Sequence, residues 1–422
     1  MTDGTGGDGR TRTVIVGGSL GGVRTAENLR EAGYAGEVVL VEAEAGPPYD
    51  RPPLSKDVLA GGRTRHDIAL TSAADLADLD IRFVDGVLAT GLDLAERTVE
   101  LSGGTILGYD HLVVATGAAP GRLPHDCTQV AYLRSFDDAE RIRASFEAGC
   151  RLVVIGGGFI GAEVAAAARA RGLPVTVLEA APVPLARVLG TDVGRLLGDL
   201  HVEHGVELRC GVQVVGIQDR GDAAVVHLAD GAALPADLVV VGIGATPNVE
   251  WLAGSGLTLD DGVVCDETCQ AVGATGVYAV GDVARWWNPR YEALMRVEHW
   301  TNAAEQAQAV ADAITGTPRP YAHVPYVWSK QYGHMIQVLG RFSGGAPRIR
   351  TPAEGVRGLC AWYGPAGSVE GLLTVDQPRL MVKARRALAA GASGIELAQL
   401  VAAHAETVPA ILDRRRPSLS GR

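Results

Sequence analysis

Arg151-Leu152-Val153-Val154-Ile155-Gly156-Gly157-Gly158-Phe159-Ile160-Gly161 sets four apolar residues ahead of a complete G-x-G-x-x-G spacing. In such a spacing Gly156 makes the tight turn, Gly158 lets a pyrophosphate approach the backbone, and Gly161 lets the following helix pack on the strand. Residues 162–171 have a helical pattern and residues 175–179 a strand pattern, so a βαβ unit is expected, its helix N-terminus facing phosphates. Glu179 ends the second strand, where a carboxylate suits a ribose 2′-hydroxyl and repels a 2′-phosphate; Ala180 and Ala181 supply no arginine to receive one. The pattern predicts a dinucleotide site that prefers NADH over NADPH. Read as a solvated strand end, Glu179 leaves that preference open.

The same order occurs earlier in the chain, with a strand at residues 13–16, the turn Gly17-Gly18-Ser19-Leu20-Gly21-Gly22, a helix at 23–31 and a strand at 37–42. Ser19 stands where the second glycine belongs. Its side chain takes room beside the pyrophosphate, and its hydroxyl can donate a hydrogen bond to phosphate. Glu42 and Glu44 both lie where an adenosine ribose is held, and Glu42 is the favoured one. Further apolar runs at 111–115, 238–241 and 277–280 read as parallel strands. From about residue 326 the pattern changes: 326–328, 335–339, 358–363 and 371–374 alternate like antiparallel strands, and 380–389 and 395–403 read as helices.

The expected fold is α/β, with two Rossmann-like dinucleotide-binding domains and a C-terminal α+β domain. Residues 1–12 form a disordered leader in this reading, 13–114 with 247–325 the first nucleotide domain, 115–246 the second, and 326–422 the third, whose Arg-rich end from Arg414 is solvated. A length of 422 residues accommodates these units. The net charge of -11 argues against nonspecific binding to nucleic acid or an anionic membrane. No basic start leads into an apolar core and no membrane-length apolar run occurs, so a cytoplasmic protein is expected. The six cysteines include no C-x-x-C pair, and the nearest two, Cys265 and Cys269, lack neighbouring ligands, so no metal site is expected.

Pro48-Tyr49-Asp50-Arg51-Pro52-Pro53-Leu54-Ser55-Lys56 is a proline-stiffened loop carrying two cations, Arg51 and Lys56, suited to a pyrophosphate and an anionic ring. With the two glycine turns, this nonapeptide resembles the signature of the pyridine-nucleotide flavoprotein reductases, and within them the ferredoxin and rubredoxin reductases serving bacterial dioxygenases and cytochrome monooxygenases. The resemblance implies a glutathione-reductase-like fold with FAD at the first unit and NADH at the second. It runs from about residue 13 to about residue 374, with Ser19 as a departure.

What it implies for single residues follows the motifs in chain order. Gly17, Ser19, Leu20, Gly22, Glu42, Glu44, Arg51 and Lys56 belong to the FAD site. Ala115-Thr116-Gly117 resembles the hinge strand into the NAD domain, and residues 242–248, including Gly244, the return crossing. Gly281 and Asp282 end the second FAD motif, where the aspartate binds the ribityl chain. Glu298, Trp300 and Trp328 lie in segments that approach the isoalloxazine. At the NAD site, with Gly156, Gly158, Ile160, Gly161 and Glu179, the resemblance lets Phe159 shield the flavin, Glu163 contact the carboxamide and Arg187 pair with pyrophosphate.

NADH gives up two electrons together and a 2Fe-2S ferredoxin takes them singly, a mismatch that flavin resolves. Electron transfer from NADH through FAD to such a ferredoxin is the expected activity, with no side chain as general acid, base or nucleophile. Arg285, Arg290, Arg296, Lys330 and Arg341 are candidates for a cationic docking rim. Disulfide and peroxide reduction are set aside because no cysteine occurs between Met1 and Asp126. Two alternatives stand: an NADH oxidase, quinone or monodehydroascorbate reductase with a small acceptor, and an interaction flavoprotein of the apoptosis-inducing type.

Overall fold

The computed structural model describes residues 2–3, 11–124, 127–342, 347–350, 357–365 and 367–407. Two five-stranded parallel sheets form its centre. The first runs Val277–Ala279, His111–Val114, Arg12–Val16, Glu37–Val41, Ile81–Val84. The second runs Val130–Tyr132, Leu238–Val241, Leu152–Ile155, Val175–Glu179, Glu207–Cys210. Their central strands are buried throughout, which is why they read as unbroken Val, Ile and Leu runs rather than alternating ones. After its edge strand each sheet gives way to three antiparallel strands, at 89–108 and 214–236, before the chain returns to the sheet. The two nucleotide units are therefore alike in order as well as in motif.

Two crossings link them. Ala118–Pro120 pairs antiparallel with Ala245–Pro247. Beside that pair the Thr116 hydroxyl donates to Asn248 O (2.8 Å) and Asn248 Nδ2 donates to Thr116 O (2.9 Å). The C-terminal sheet is antiparallel in the order Tyr326–Gln331, His334–Gly340, Gly371–Val375, Cys360–Tyr363, Arg348–Arg350. One face packs Ile336 and Leu373 against Leu189 and Val193 of helix Ala186–Glu203. The other packs Leu339 and Leu372 against Leu380 and Met381 of helix Pro378–Ala389, beside Gly394–Thr407.

Several expected boundaries move. Both glycine helices start inside their motifs, at Leu20 and Phe159, because Ser19 and Gly158 are the N-caps and the last residues of each motif already form the first helical turn. Arg12, placed in the leader from sequence, is buried in the first strand, donating to Glu37 (2.7 Å). Thr2–Asp3 pairs in parallel with Ile106 and Leu107. Residues 4–10 and the Arg-rich end lie outside the described residues. Cys265 ends a strand and Cys269 sits in a turn at φ +64°, so they share neither strand nor helix. Among the described residues no helix is long and apolar enough to cross a membrane.

His201 on helix Ala186–Glu203 is buried against Tyr332, its Nδ1 2.7 Å from the phenol oxygen, and burial with repulsion from His204 takes its pKa down to about 4. An unfolded histidine titrates near 6.5, so between about pH 6.5 and 4 the unfolded chain binds the extra proton and stability falls as pH falls. Denaturant unfolding of His201→Gln is expected to lose less stability than wild type between pH 7 and 4, the difference being on the order of 3 kcal/mol. Equal pH slopes for the two proteins would refute this.

Candidate active site

Each glycine unit carries a carboxylate tied back to its own turn, Glu42 just after its second strand and Glu179 at the end of it. Gly18 N–H donates to Glu42 Oε2 (2.6 Å) and Glu44 N–H to Glu42 Oε1 (2.9 Å). In the second unit Gly157 N–H donates to Glu179 Oε2 (2.7 Å) and Ala181 N–H to Glu179 Oε1 (2.7 Å). Since a carboxylate oxygen accepts about two hydrogen bonds, each pair of oxygens keeps capacity for two hydroxyls, the need of a ribose. Glu42 is buried and Glu179 half-buried, so the first cradle lies deeper. Glu44 turns away from that cradle, accepting from Tyr49 (2.5 Å) and Arg51 (2.8 Å). Burial would raise its pKa, but Arg51 and these two bonds hold it below the usual range.

The turns themselves need glycine. Gly17 and Gly156 have φ of +113° and +106°, and a Cβ on either would lie 2.2 Å from the carbonyl oxygen of Ala115 or Gly242. At Gly22 and Gly161 a Cβ would meet the carbonyl oxygens of Gly17 and Gly156 at 1.8 and 2.1 Å. These four glycines, with Glu42, Glu44, Glu179 and Thr116, shape the site from behind and do not line its cleft.

A single cleft of about 430 Å³ lies between the two turns. Ser19 and Leu20 line it from the first unit; Gly158, Phe159 and Ile160 line it from the second. Ala115, Gly117 and Gly244 enter from the crossings, and Gly281 and Asp282 from the turn after Val277–Ala279. Glu298, Trp300 and Trp328 close it from the C-terminal side. Trp300 Nε1 donates to Asp50 Oδ1 (2.9 Å), and Trp328 lies beneath the Lys56 ammonium, 5.1 Å from its ring centre. Glu298 is exposed and accepts from Arg296 (2.5 Å). Arg187, expected among the nicotinamide residues, is exposed on helix Ala186–Glu203 and does not line the cleft.

At the centre Glu163 joins three segments. Its carboxylate is 3 % exposed and pairs with Lys56 Nζ at 2.6 Å. It also accepts from the hydroxyls of Ser55 and Ser329, the latter at 2.6 Å, and from Lys330 N–H at 3.3 Å. These bonds occupy both oxygens that the sequence reading assigned to a carboxamide. His299, also in the cleft, accepts from Trp328 N–H at Nε2 (3.1 Å), and burial takes its pKa down to about 4, leaving it neutral at pH 7.

Sequence reasoning missed Arg134. Its guanidinium faces Gly117 in the cleft, 3.7 Å from Asp282, and burial together with repulsion from Arg51 holds its pKa below the ordinary value. It lies outside every glycine or proline motif. The signal beside it was the capping box Ser135 to Asp138, which starts helix Phe136–Glu147 and fixes Arg134 through a bond from its N–H to Asp138 (3.1 Å). Of the five rim candidates, Arg285 pairs with Asp260, Arg296 with Asp261 and Glu298, and Arg290 donates to Leu388 O. Lys330 and Arg341 are exposed.

The donor set fits FAD along the first unit: a carboxylate for ribose at Glu42, the helix N-terminus with Ser19 and Arg134 for pyrophosphate, Asp282 for a polyol, and Lys56 with two indoles for a flat ring. Two nucleotide-binding glycine turns opening onto one cleft define a dinucleotide oxidoreductase.

The sequence profile of the pyridine nucleotide-disulphide oxidoreductases matches residues 11–307, and that of the reductase C-terminal domain matches 326–407. The chain belongs to the pyridine nucleotide-disulphide oxidoreductase family. Rhodocoxin reductase of Rhodococcus erythropolis is 39% identical over 383 residues, covering 89% of each chain. The ferredoxin–NAD(+) reductase component of the p-cumate 2,3-dioxygenase system of Pseudomonas putida is 36% identical, covering 90% of this chain and 94% of that one. Putidaredoxin reductase in its covalent complex with putidaredoxin superposes with a TM-score of 0.86 at 34% identity, covering 93% of this chain and 98% of the other.

Proposed function

We propose that this chain is a cytoplasmic, FAD-containing NADH:ferredoxin reductase that supplies electrons to a 2Fe-2S ferredoxin feeding a cytochrome monooxygenase or ring-hydroxylating dioxygenase. The observation that carries this reading is the meeting of both glycine turns in one cleft. Relatives named as a rhodocoxin reductase and as the ferredoxin–NAD(+) reductase component of a dioxygenase system, matched over most of their length, support the acceptor. FAD, when bound, supplies the chemistry, taking a hydride equivalent and returning electrons one at a time.

The chain's own residues hold and orient. Residues 13–114 and 247–325 bind FAD, 115–246 bind NADH, and Val327 and Trp328 of the C-terminal domain cover the ring side of the cleft. Glu42 takes the adenosine ribose hydroxyls, Arg134 the pyrophosphate, and Asp282 the ribityl chain. Lys56, steered by Glu163, holds positive charge at the ring, while Trp300 and Trp328 wall it and keep water out. Phe159 stands at the nicotinamide entrance.

Glu179 sets the preference for NADH. Glu179→Ala is expected to raise the KM for NADH about tenfold or more with little change in kcat, because the ribose lies far from the reacting atoms. The NADH-to-NADPH ratio of kcat/KM falls with it. An unchanged ratio in steady-state assays would remove Glu179 from the cofactor site. The NADH-to-FAD half of the proposal is tested by anaerobic NADH titration of the FAD-loaded protein: bleaching of the flavin absorbance at one equivalent supports it, and an unbleached flavin opposes it.

A further inference from the structure

Ser19 replaces a motif glycine at no cost to the backbone. Its φ and ψ are -78° and -169°, against -76° and -177° at Gly158, so neither position needs glycine for its conformation. A Cβ at Gly158 would touch only Gly242 O, at 3.9 Å, which leaves the space in front of that residue to a ligand. The Ser19 side chain therefore occupies the ligand's side of the first turn.

Its hydroxyl does not cap the helix it begins. Instead it accepts two hydrogen bonds from Arg51, from Nε at 3.1 Å and Nη2 at 2.9 Å. A serine hydroxyl offers two acceptor lone pairs and one proton, so Arg51 uses the acceptors and the proton keeps no partner among the described residues. Arg51 is itself committed: Nη2 also donates to Glu44 (2.8 Å) and Nη1 to Arg134 O (2.7 Å). Ser19 lines the cleft at the N-terminus of helix Leu20–Glu31, so its unspent proton is available where main-chain N–H groups already favour an anion.

We propose that Ser19 is a phosphate-binding residue of the FAD site, donating its hydroxyl proton to a pyrophosphate oxygen, and that Arg51 is a positioning residue that fixes and polarises this hydroxyl instead of touching the phosphate. The inference rests on the reading that the first unit holds FAD. It gives the departure from the glycine pattern a consequence of definite sign: restoring the glycine weakens FAD binding. A serine that merely intrudes on the pyrophosphate predicts the opposite.

The test is FAD titration of the full-length apoprotein, followed by quenching of flavin fluorescence, for wild type, Ser19→Gly, Ser19→Ala, Arg51→Gln and Ser19→Ala/Arg51→Gln. Both single Ser19 variants are expected to bind FAD about tenfold more weakly, the loss of one charge-assisted hydrogen bond. In the double variant the Ser19 substitution should add little, since the polarised donor is already lost. Thermal melting of each apoprotein separates lost contact from lost fold. FAD bound as tightly by Ser19→Gly as by wild type, or additive losses in the double variant, overturn the inference. Wild type that binds no FAD overturns the underlying reading instead.

Discussion

Replacing Glu163 with leucine is expected to lower stability by about 3 kcal/mol, because it leaves the half-buried Lys56 ammonium without its counter-charge. The Ser55 and Ser329 hydroxyls, 4% and 0% exposed as residues, lose their acceptor in the same step. Glu163→Gln keeps an acceptor oxygen for Ser329 and loses the charge, so it should cost less stability than leucine. Both variants free Lys56 from its position over Trp328, and a misplacement of about 1 Å at a reacting group costs roughly a hundredfold in rate. Stopped-flow flavin reduction by NADH should slow accordingly. Denaturant unfolding supplies the control: Lys56→Met/Glu163→Leu should be more stable than Glu163→Leu alone, since removing both members of the pair relieves the unpaired charge. If the double variant is the less stable one, the pair is not what holds these three segments together.

Gly22→Ala should abolish FAD retention while Gly161→Ala spares it and abolishes NADH binding. At Gly22 the new methyl would lie 1.8 Å from Gly17 O, and at Gly161 2.1 Å from Gly156 O. Backbone oxygens in a tight turn have little room to retreat, so the helix must shift away from its turn and the phosphate cradle opens. The expected loss is at least a hundredfold in affinity for the matching nucleotide, with a stability cost of about 1–3 kcal/mol. Flavin content after purification reads the first variant. For the second, the KM for NADH on FAD-loaded protein is the readout. Loss of FAD from Gly161→Ala with retention in Gly22→Ala would reverse the assignment of the two units.

The parts of this molecule legible in its sequence are those fixed by neighbours along the chain. The glycine turns, their flanking strands and the carboxylates Glu42 and Glu179 fall within a span of about 25 residues, where spacing alone sets geometry. The alternating runs after residue 325 likewise predicted the antiparallel sheet, though not its edge strand Arg348–Arg350. The centre of the site is built differently. Glu163 meets Ser55 across 108 positions and Ser329 across 166, so no local pattern showed that its carboxylate serves Lys56. Arg134 belongs to no motif and reaches the cleft because a capping box starts its helix there. Arg187 matched by position along the chain, yet the kink at Gly190 and the left-handed Leu185 (φ +55°) bracket a segment that leaves it exposed. Charge counted along the sequence likewise could not show that Arg285 pairs with Asp260 and Arg296 with Asp261, partners that the fold brings to them from another segment.

The most direct measurement of the central claim is NADH-dependent reduction of cytochrome c by the purified, FAD-loaded protein, with and without an added 2Fe-2S ferredoxin and with NADPH in parallel. Turnover is expected to rise with ferredoxin concentration and to be faster with NADH. Turnover that ignores ferredoxin although NADH bleaches the flavin would contradict this and point to a small acceptor.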